Sequence, residues 1–304
     1  FIARIRGKED PYLKIGESND RSTKGTSECV WALKDINFEV KRDSQKFSKD
    51  KCKASKNILF YTGFAEFDWN YSYICTNALG GSEKAVAYLS KNFPGEYKIY
   101  VTGAVKPEKF DNITYVNLRD MPNLLNNTPF HTIICSRYIA FLEMFKEVSF
   151  YQYYIWAHDT HLIHYGCELQ DVEIVTKWSK HIDGCVCQTQ WHADEYIKKY
   201  PELNGKIHTI NNGIITSGLS DKNVKQPNKF IYSSRTERGL VIVLALWPQI
   251  LKQIPDAQLV ISTYTKFPGN PEEERVKCII DQYPDSIKHL GQLNTVQLYK
   301  EMSS

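Results

Sequence analysis

Apolar positions recur along this chain in two alternating rhythms. Short apolar runs at 57–62, 98–102, 113–116, 131–135, 153–157, 184–188 and 207–210 read as strands. After the first of these strands, which Gly63 ends, a loop rich in aromatic residues runs to Leu79. Elsewhere between the strands the spacing lengthens to three and four. The pattern predicts helices over 84–90, with Ala85, Tyr88 and Leu89 on one face, and over 138–148, with Phe141, Met144 and Phe145. Further helices are predicted over 169–179 and 190–199. Ser82 stands where the N-cap of the first helix is expected, after Gly80 and Gly81. Strands alternating with helices predict a parallel, doubly wound α/β sheet.

The same rhythm resumes after a polar stretch over 216–228. Phe230, Ile231 and Tyr232 form a short strand, followed by Ser233, Ser234 and the turn Arg235-Thr236-Glu237-Arg238-Gly239. Leu240, Val243, Leu244, Trp247, Leu251 and Ile254 then share one helical face. Pro248 is expected to kink that helix and Pro255 to end it before a strand at 258–261. A strand at 287–290 and a helix at 295–302 close the chain. Two arginines at the mouth of a strand–turn–helix unit suit an anion, and a diphosphate best of all. Helix-start N–H groups attract negative charge, and guanidinium grips phosphate with two hydrogen bonds. An ordinary crossover unit with arginines on a solvated turn is the plain alternative.

Composition narrows the class. The 304 residues are 42% hydrophobic and 24% charged, the balance of a globular chain with room for two domains. The net charge is only +3, and the basic surplus lies in residues 1–56. The rest is close to neutral, which argues against nucleic-acid binding. No apolar run reaches the roughly 18 residues of a membrane span, and peripheral membrane contact is not indicated. The 8 cysteines form no CxxC pair and suit free thiols in a reducing, cytoplasmic setting. Residues 1–5 read as a strand end, 29–33 as a short apolar patch and 41–56 as a lysine-rich linker. The chain starts at Phe1 and reads as a fragment.

The densest functional stretch is His158-Asp159-Thr160-His161-Leu162-Ile163-His164, directly after a strand. Three readings stand: a metal site, histidines on a polar loop, or a ligand-facing histidine at a strand's C-terminal end. The HExxH spacing is absent.

"FIYSSRTERGL", the Trp247-Pro248 pair and "IPDAQLVI" resemble the second domain of retaining glycosyltransferases of family 4, and "GGSE" at 80–83 is similar to that family's glycine loop. The resemblance covers about residues 57–304. It implies a GT-B fold, two Rossmann-like domains facing across a cleft: 57–215 for the first, 216–304 for an incomplete second, after an extension over 1–56. It implies transfer of a sugar from a nucleoside diphosphate sugar to a glycan or other hydroxyl acceptor, with retention and with neither metal nor cofactor. It gives catalytic roles to His158, Arg235 and Arg238. Donor-binding roles go to Gly80, Gly81, Ser82, Glu83, Asn212, Gly213, Ser234, Arg235, Arg238 and Gly239.

Two departures from the family matter. Arg238 stands where the family has a more distant lysine, and the family's paired glutamates would lie beyond Ser304. With the second domain cut short, Leu240, Val243, Leu244 and Trp247 are expected to be only partly buried. A non-catalytic sugar- or partner-binding module and a metal-dependent hydrolase built on 158–164 are the alternatives.

Overall fold

The structure is a computed structural model and describes residues 47–65, 67–213, 225–263 and 271–303. The strand at 1–5, the patch at 29–33 and most of the polar stretch 216–228 lie outside the described residues.

The chain begins with helix α1 (Lys49–Ala54), strand β1 (Asn57–Tyr61), and helices α2 (Tyr71–Thr76) and α3 (Gly81–Lys91). Strands β2 (Lys98–Gly103), β3 (Glu108–Phe110) and β4 (Ile113–Asn117) follow, then α4 (Met121–Asn127), β5 (Phe130–Ser136), the short α5 (Phe141–Met144) and β6 (Phe150–Trp156). Next come α6 (Asp171–Trp178), β7 (Gly184–Cys187), α7 (Gln190–Lys199) and β8 (Ile207–Thr209). The last part holds β9 (Lys229–Ser233), α8 (Leu240–Gln253), β10 (Gln258–Ser262), α9 (Pro271–Ile280), β11 (Ile287–His289) and α10 (Thr295–Ser303).

Eight strands form one sheet in the order β3-β4-β2-β1-β5-β6-β7-β8, and three form another in the order β11-β10-β9. β1 pairs in parallel with both β2 and β5, and β5 to β8 continue in parallel. The chain leaves β1 toward one edge and returns to β5 on its other side. The carboxyl ends of β1 and β5 therefore flank the switch point at which α/β sheets bind ligands.

Compactness divides the chain into two units. One holds the described residues up to Phe64 with 96–103 and 116–210; the other holds 65–95, 104–115 and the described residues from Asn211 on. The first unit's core gathers Leu59, Tyr61, Ile133, Cys135, Phe141, Tyr153, Ile155 and Tyr196, all at most 1% exposed. In the second, Trp69 packs edge-on against Tyr115, and β9 to β11 carry α8 and α9.

Four expectations are corrected. The sheet is not wholly parallel: β3 runs antiparallel to β4, turned at Asp111 with φ 51°. A three-residue strand of Glu, Lys and Phe has too little alternation to show in the sequence. The lysine-rich run contains α1, capped by Ser48, with Cys52 fully buried beneath it. The aromatic loop after β1 contains α2, whose cap is Asn70: its Oδ1 accepts from the Tyr73 N–H at 2.8 Å. Finally, Leu240, Leu244 and Trp247 are fully buried against Leu259, Ile261, Val276 and Ile287, while Val243 is partly buried, as expected. α9 and β11 supply that cover, and the Trp247 Nε1–H donates to Ser286 Oγ at 3.0 Å. α8 runs through Pro248, which sits on the exposed side. Among the described residues, no helix is long and apolar enough to cross a membrane.

Candidate functional site

In-register parallel pairing places the ends of β5, β6 and β7 side by side. Ser136 pairs with Trp156, and Trp156 with Val186. Residues just past the strand ends, Arg137 after β5, His158 and Asp159 after Ala157 beyond β6, and Gln188 after β7, therefore gather at one end of the sheet. Arg137 adopts φ 71°, a strained conformation for a residue with a side chain. Its Nε donates to Asp159 Oδ2 at 2.7 Å, and both side chains are about a third exposed or less.

Gln188 Nε2 lies 3.2 Å from His158 Nδ1. The Gln188 backbone N–H donates to His192 Nδ1 at 3.3 Å. A neutral imidazole then carries its proton on Nε2, which donates to the Asp159 carbonyl at 2.8 Å. The Tyr196 hydroxyl donates to that carbonyl as well. Thr189 caps α7 and so orients His192 in its first turn.

His158 is the electrostatic centre of the group. Burial, then the Arg137 guanidinium, push its imidazole down to about 4; Asp159 pulls the other way and His192 adds a smaller push. Its ring lies 4.8 Å from that of Trp156. His158 Nε2 is buried and has no hydrogen-bond partner among the described residues. The site thus holds a neutral histidine, a cation tied to a carboxylate, and a polar atom waiting for a partner.

The other histidines of the 158–164 stretch do not converge on it. His161 is exposed, and the ring of His164 lies against Tyr165. Among the described residues, no three or more His, Cys, Asp or Glu are grouped to hold a metal ion.

The second unit holds the other expected residues. Arg235, Thr236, Glu237 and Arg238 form the turn between β9 and α8, closed by Arg238 N–H donating to Arg235 O at 3.0 Å. Thr236 is buried beneath it. Tyr232 Oη donates to the Arg235 carbonyl at 2.5 Å, which braces the turn from β9. Arg235 Nη1 is 3.7 Å from Glu237 Oε1, and Arg238 is exposed. Gly239 caps α8 at φ 98° with no side-chain hydrogen bond, so the helix start is left to backbone N–H groups. Ser234 is half-buried beside this turn.

At the glycine loop, the expected cap is corrected. α3 starts at Gly81 with Gly80 as its cap, and Ser82 lies inside the first turn. Ser82 Oγ donates to Glu83 Oε2 at 2.9 Å. Glu83, only 8% exposed, folds back over Gly80; a Cβ there would sit 2.3 Å from its Oε2. A Cβ on Gly81 would meet open space. Asn212 and Gly213 are exposed, and Gly213 has no positive φ.

Arg137, Gln188 and His192 carry no motif and escaped the sequence reading. The signal that could have found Arg137 and Gln188 is their position at or just past the carboxyl ends of the predicted strands 131–135 and 184–188, where α/β sheets gather ligand-binding side chains.

No protein-family model and no curated protein sequence matches this chain. Among solved structures, Anabaena HepE in complex with UDP superposes with a TM-score of 0.55 at 12% identity, over 80% of this chain and 71% of that one. HepE in complex with UDP-glucose gives 0.51 at 14% identity, over 80% and 71%. TarM gives 0.43 at 17% identity over 56% of this chain and 34% of its own, a likeness too low to carry weight. The chain thus spans about a third of TarM and about seven-tenths of HepE. At these identities the likeness is one of fold. This chain has the α/β architecture of the GT-B glycosyltransferases, with a large parallel sheet.

Proposed function

We propose that this chain binds a nucleoside diphosphate sugar and transfers its sugar to a hydroxyl group of a glycan or similar acceptor, with retention of configuration, as family 4 glycosyltransferases do. The observation that carries this reading is the turn before α8. Two arginines stand three residues apart at the start of a 14-residue helix that no side chain caps. A diphosphate leaving group gathers negative charge as the sugar departs, and such a site stabilises that charge. Arg235 and Arg238 supply the cations, and Ser234 and Gly239 leave the backbone open to the phosphates. HepE, a fold neighbour, is seen with UDP and with UDP-glucose, which supports UDP as the nucleotide.

His158 donates from Nε2 to a hydroxyl of the donor sugar. That atom is closed off from solvent, so a sugar reaches it only as neighbouring side chains shift. The contact removes the cost of a buried, unpaired donor, about 1–3 kcal/mol. Gly80, Gly81, Ser82 and Glu83 border the donor, the open space at Gly81 allowing close approach. Asn212 and Gly213 contribute from the segment after β8. The acceptor hydroxyl attacks on the face the diphosphate leaves: its oxygen bonds to the anomeric carbon as the bond to the diphosphate breaks, its proton passes to the departing phosphate oxygen, and configuration is retained.

The test is calorimetric titration of UDP, GDP and UDP-glucose into the full chain, followed by NMR of the released sugar. Saturable binding of a nucleoside diphosphate and an α-configured first product from UDP-glucose support the reading. Absence of nucleotide binding overturns it. Binding without transfer leaves a sugar-nucleotide-binding module.

A further inference from the structure

We infer that Gln188 is a positioning residue that holds His158 as the tautomer protonated on Nε2, so that this site presents a hydrogen-bond donor, and not a base, to what it binds. The inference rests on the role given to His158 above, but its physical core can be read without any substrate.

A primary amide nitrogen only donates. Gln188 Nε2, 3.2 Å from His158 Nδ1, therefore requires a lone pair on Nδ1. A neutral ring with a lone pair on Nδ1 carries its proton on Nε2. Neutrality follows from the surroundings: burial comes first, Arg137 is a nearby cation, His192 adds a smaller push in the same sense, and among the described residues Asp159 is the carboxylate that opposes them. Asp159 is already engaged, its Oδ2 by Arg137 Nε and its carbonyl by His192 and Tyr196. Its charge is thus countered by Arg137 and does not outweigh burial at the ring.

Gln188 is itself held in place. Its backbone N–H donates to His192 Nδ1, and the Ile210 N–H donates to the neighbouring Cys187 carbonyl. The side chain of 188 and the ring of 158 are thus positioned by adjacent, in-register strands. The remaining ring nitrogen, Nε2, has no hydrogen-bond partner among the described residues. A donor there recognises an oxygen lone pair, as a sugar hydroxyl or a phosphate offers, and takes no proton from the acceptor.

The test is nitrogen-15 NMR of the full chain labelled at histidine, with the His158 signals assigned by their loss in His158→Gln. In the wild type, Nε2 is expected to be protonated and Nδ1 bare at neutral pH. Gln188→Glu replaces the donor with an acceptor. Its folded protein should carry the proton on Nδ1, titrate at higher pH, and transfer sugar from UDP-glucose at least ten times more slowly. A wild-type ring protonated on Nδ1 overturns the inference, and so does an unchanged tautomer in folded Gln188→Glu. If that variant does not fold, the wild-type spectrum decides alone. If the tautomer moves as expected but wild type neither binds UDP nor transfers sugar, the tautomer assignment stands and the glycosyltransferase reading fails.

Discussion

Gly63 and Tyr138 occupy each other's space: a Cβ on Gly63 would lie 2.3 Å from Tyr138 Cδ2. Gly63 ends β1 at φ 61°, and Tyr138 follows β5, so this contact fits together the two strand ends that flank the switch point. The ring cannot swing aside freely, because its hydroxyl donates to the Phe64 carbonyl at 2.6 Å. Gly63→Ala is expected to cost about 2–4 kcal/mol, the sum of overpacking and a left-handed backbone. Gly81→Ala, with open space around it, should change stability by less than about 0.5 kcal/mol. Urea unfolding of both variants checks the contrast; equal losses would refute the packing account.

Arg235→Ala is expected to weaken UDP binding by about 1.5–3 kcal/mol, the range of a charge-assisted hydrogen bond. Arg238→Ala should act in the same direction. The readout is the dissociation constant for UDP at fixed ionic strength. Unchanged affinity in Arg235→Ala would remove the anion site from the turn before α8.

Protonation of His158 should make stability fall in mild acid. Its folded-state imidazole titrates at about 4, below the ordinary 6.5, so the unfolded chain binds the proton first. Stability is therefore intact above about 6.5 and declines as pH falls toward 4. The loss attributable to this one ring is on the order of 3 kcal/mol. Comparing urea unfolding of wild type and His158→Gln at pH 7, 5.5 and 4 (roughly spanning the window) isolates it. Parallel curves would show that the ring is not depressed.

Glu143 titrates in the opposite sense. Burial alone would raise its carboxyl, but hydrogen bonds from Lys146, Lys177 and the Trp178 indole bring it down to about 2. Lys146 Nζ and Lys177 Nζ each approach to 2.7 Å and Trp178 Nε1 to 2.9 Å. The carboxylate ties α5 to α6. Its stabilisation should be present above about 4.5 and be lost as pH falls through 2. Glu143→Gln should cost roughly 2–3 kcal/mol at neutral pH and little in strong acid. A melting-temperature series against pH for both proteins measures this.

The chain's own order of apolar residues determined the strand–helix alternation, because burial at spacings of two and four is a local property. The helix predicted over 190–199 is α7, residue for residue, since Thr189 caps it and its periodicity needs no distant partner. The strands at 57–62, 258–261 and 287–290 match β1, β10 and β11 to within a residue at each end. Candidate residues with motif chemistry, His158 and the arginines of 235–238, were legible for the same reason. Tertiary structure alone decided what lies between them. The ion pair of Arg137 with Asp159 joins residues 22 apart, and Gln188 meets His158 across 30. Those contacts exist because parallel strands bring their ends together after long crossovers, and no local pattern encodes such a meeting. The covering of Leu240, Leu244 and Trp247 by α9 and β11 was decided in the same way. Whether an apolar helix face is buried depends on what the chain returns to place against it.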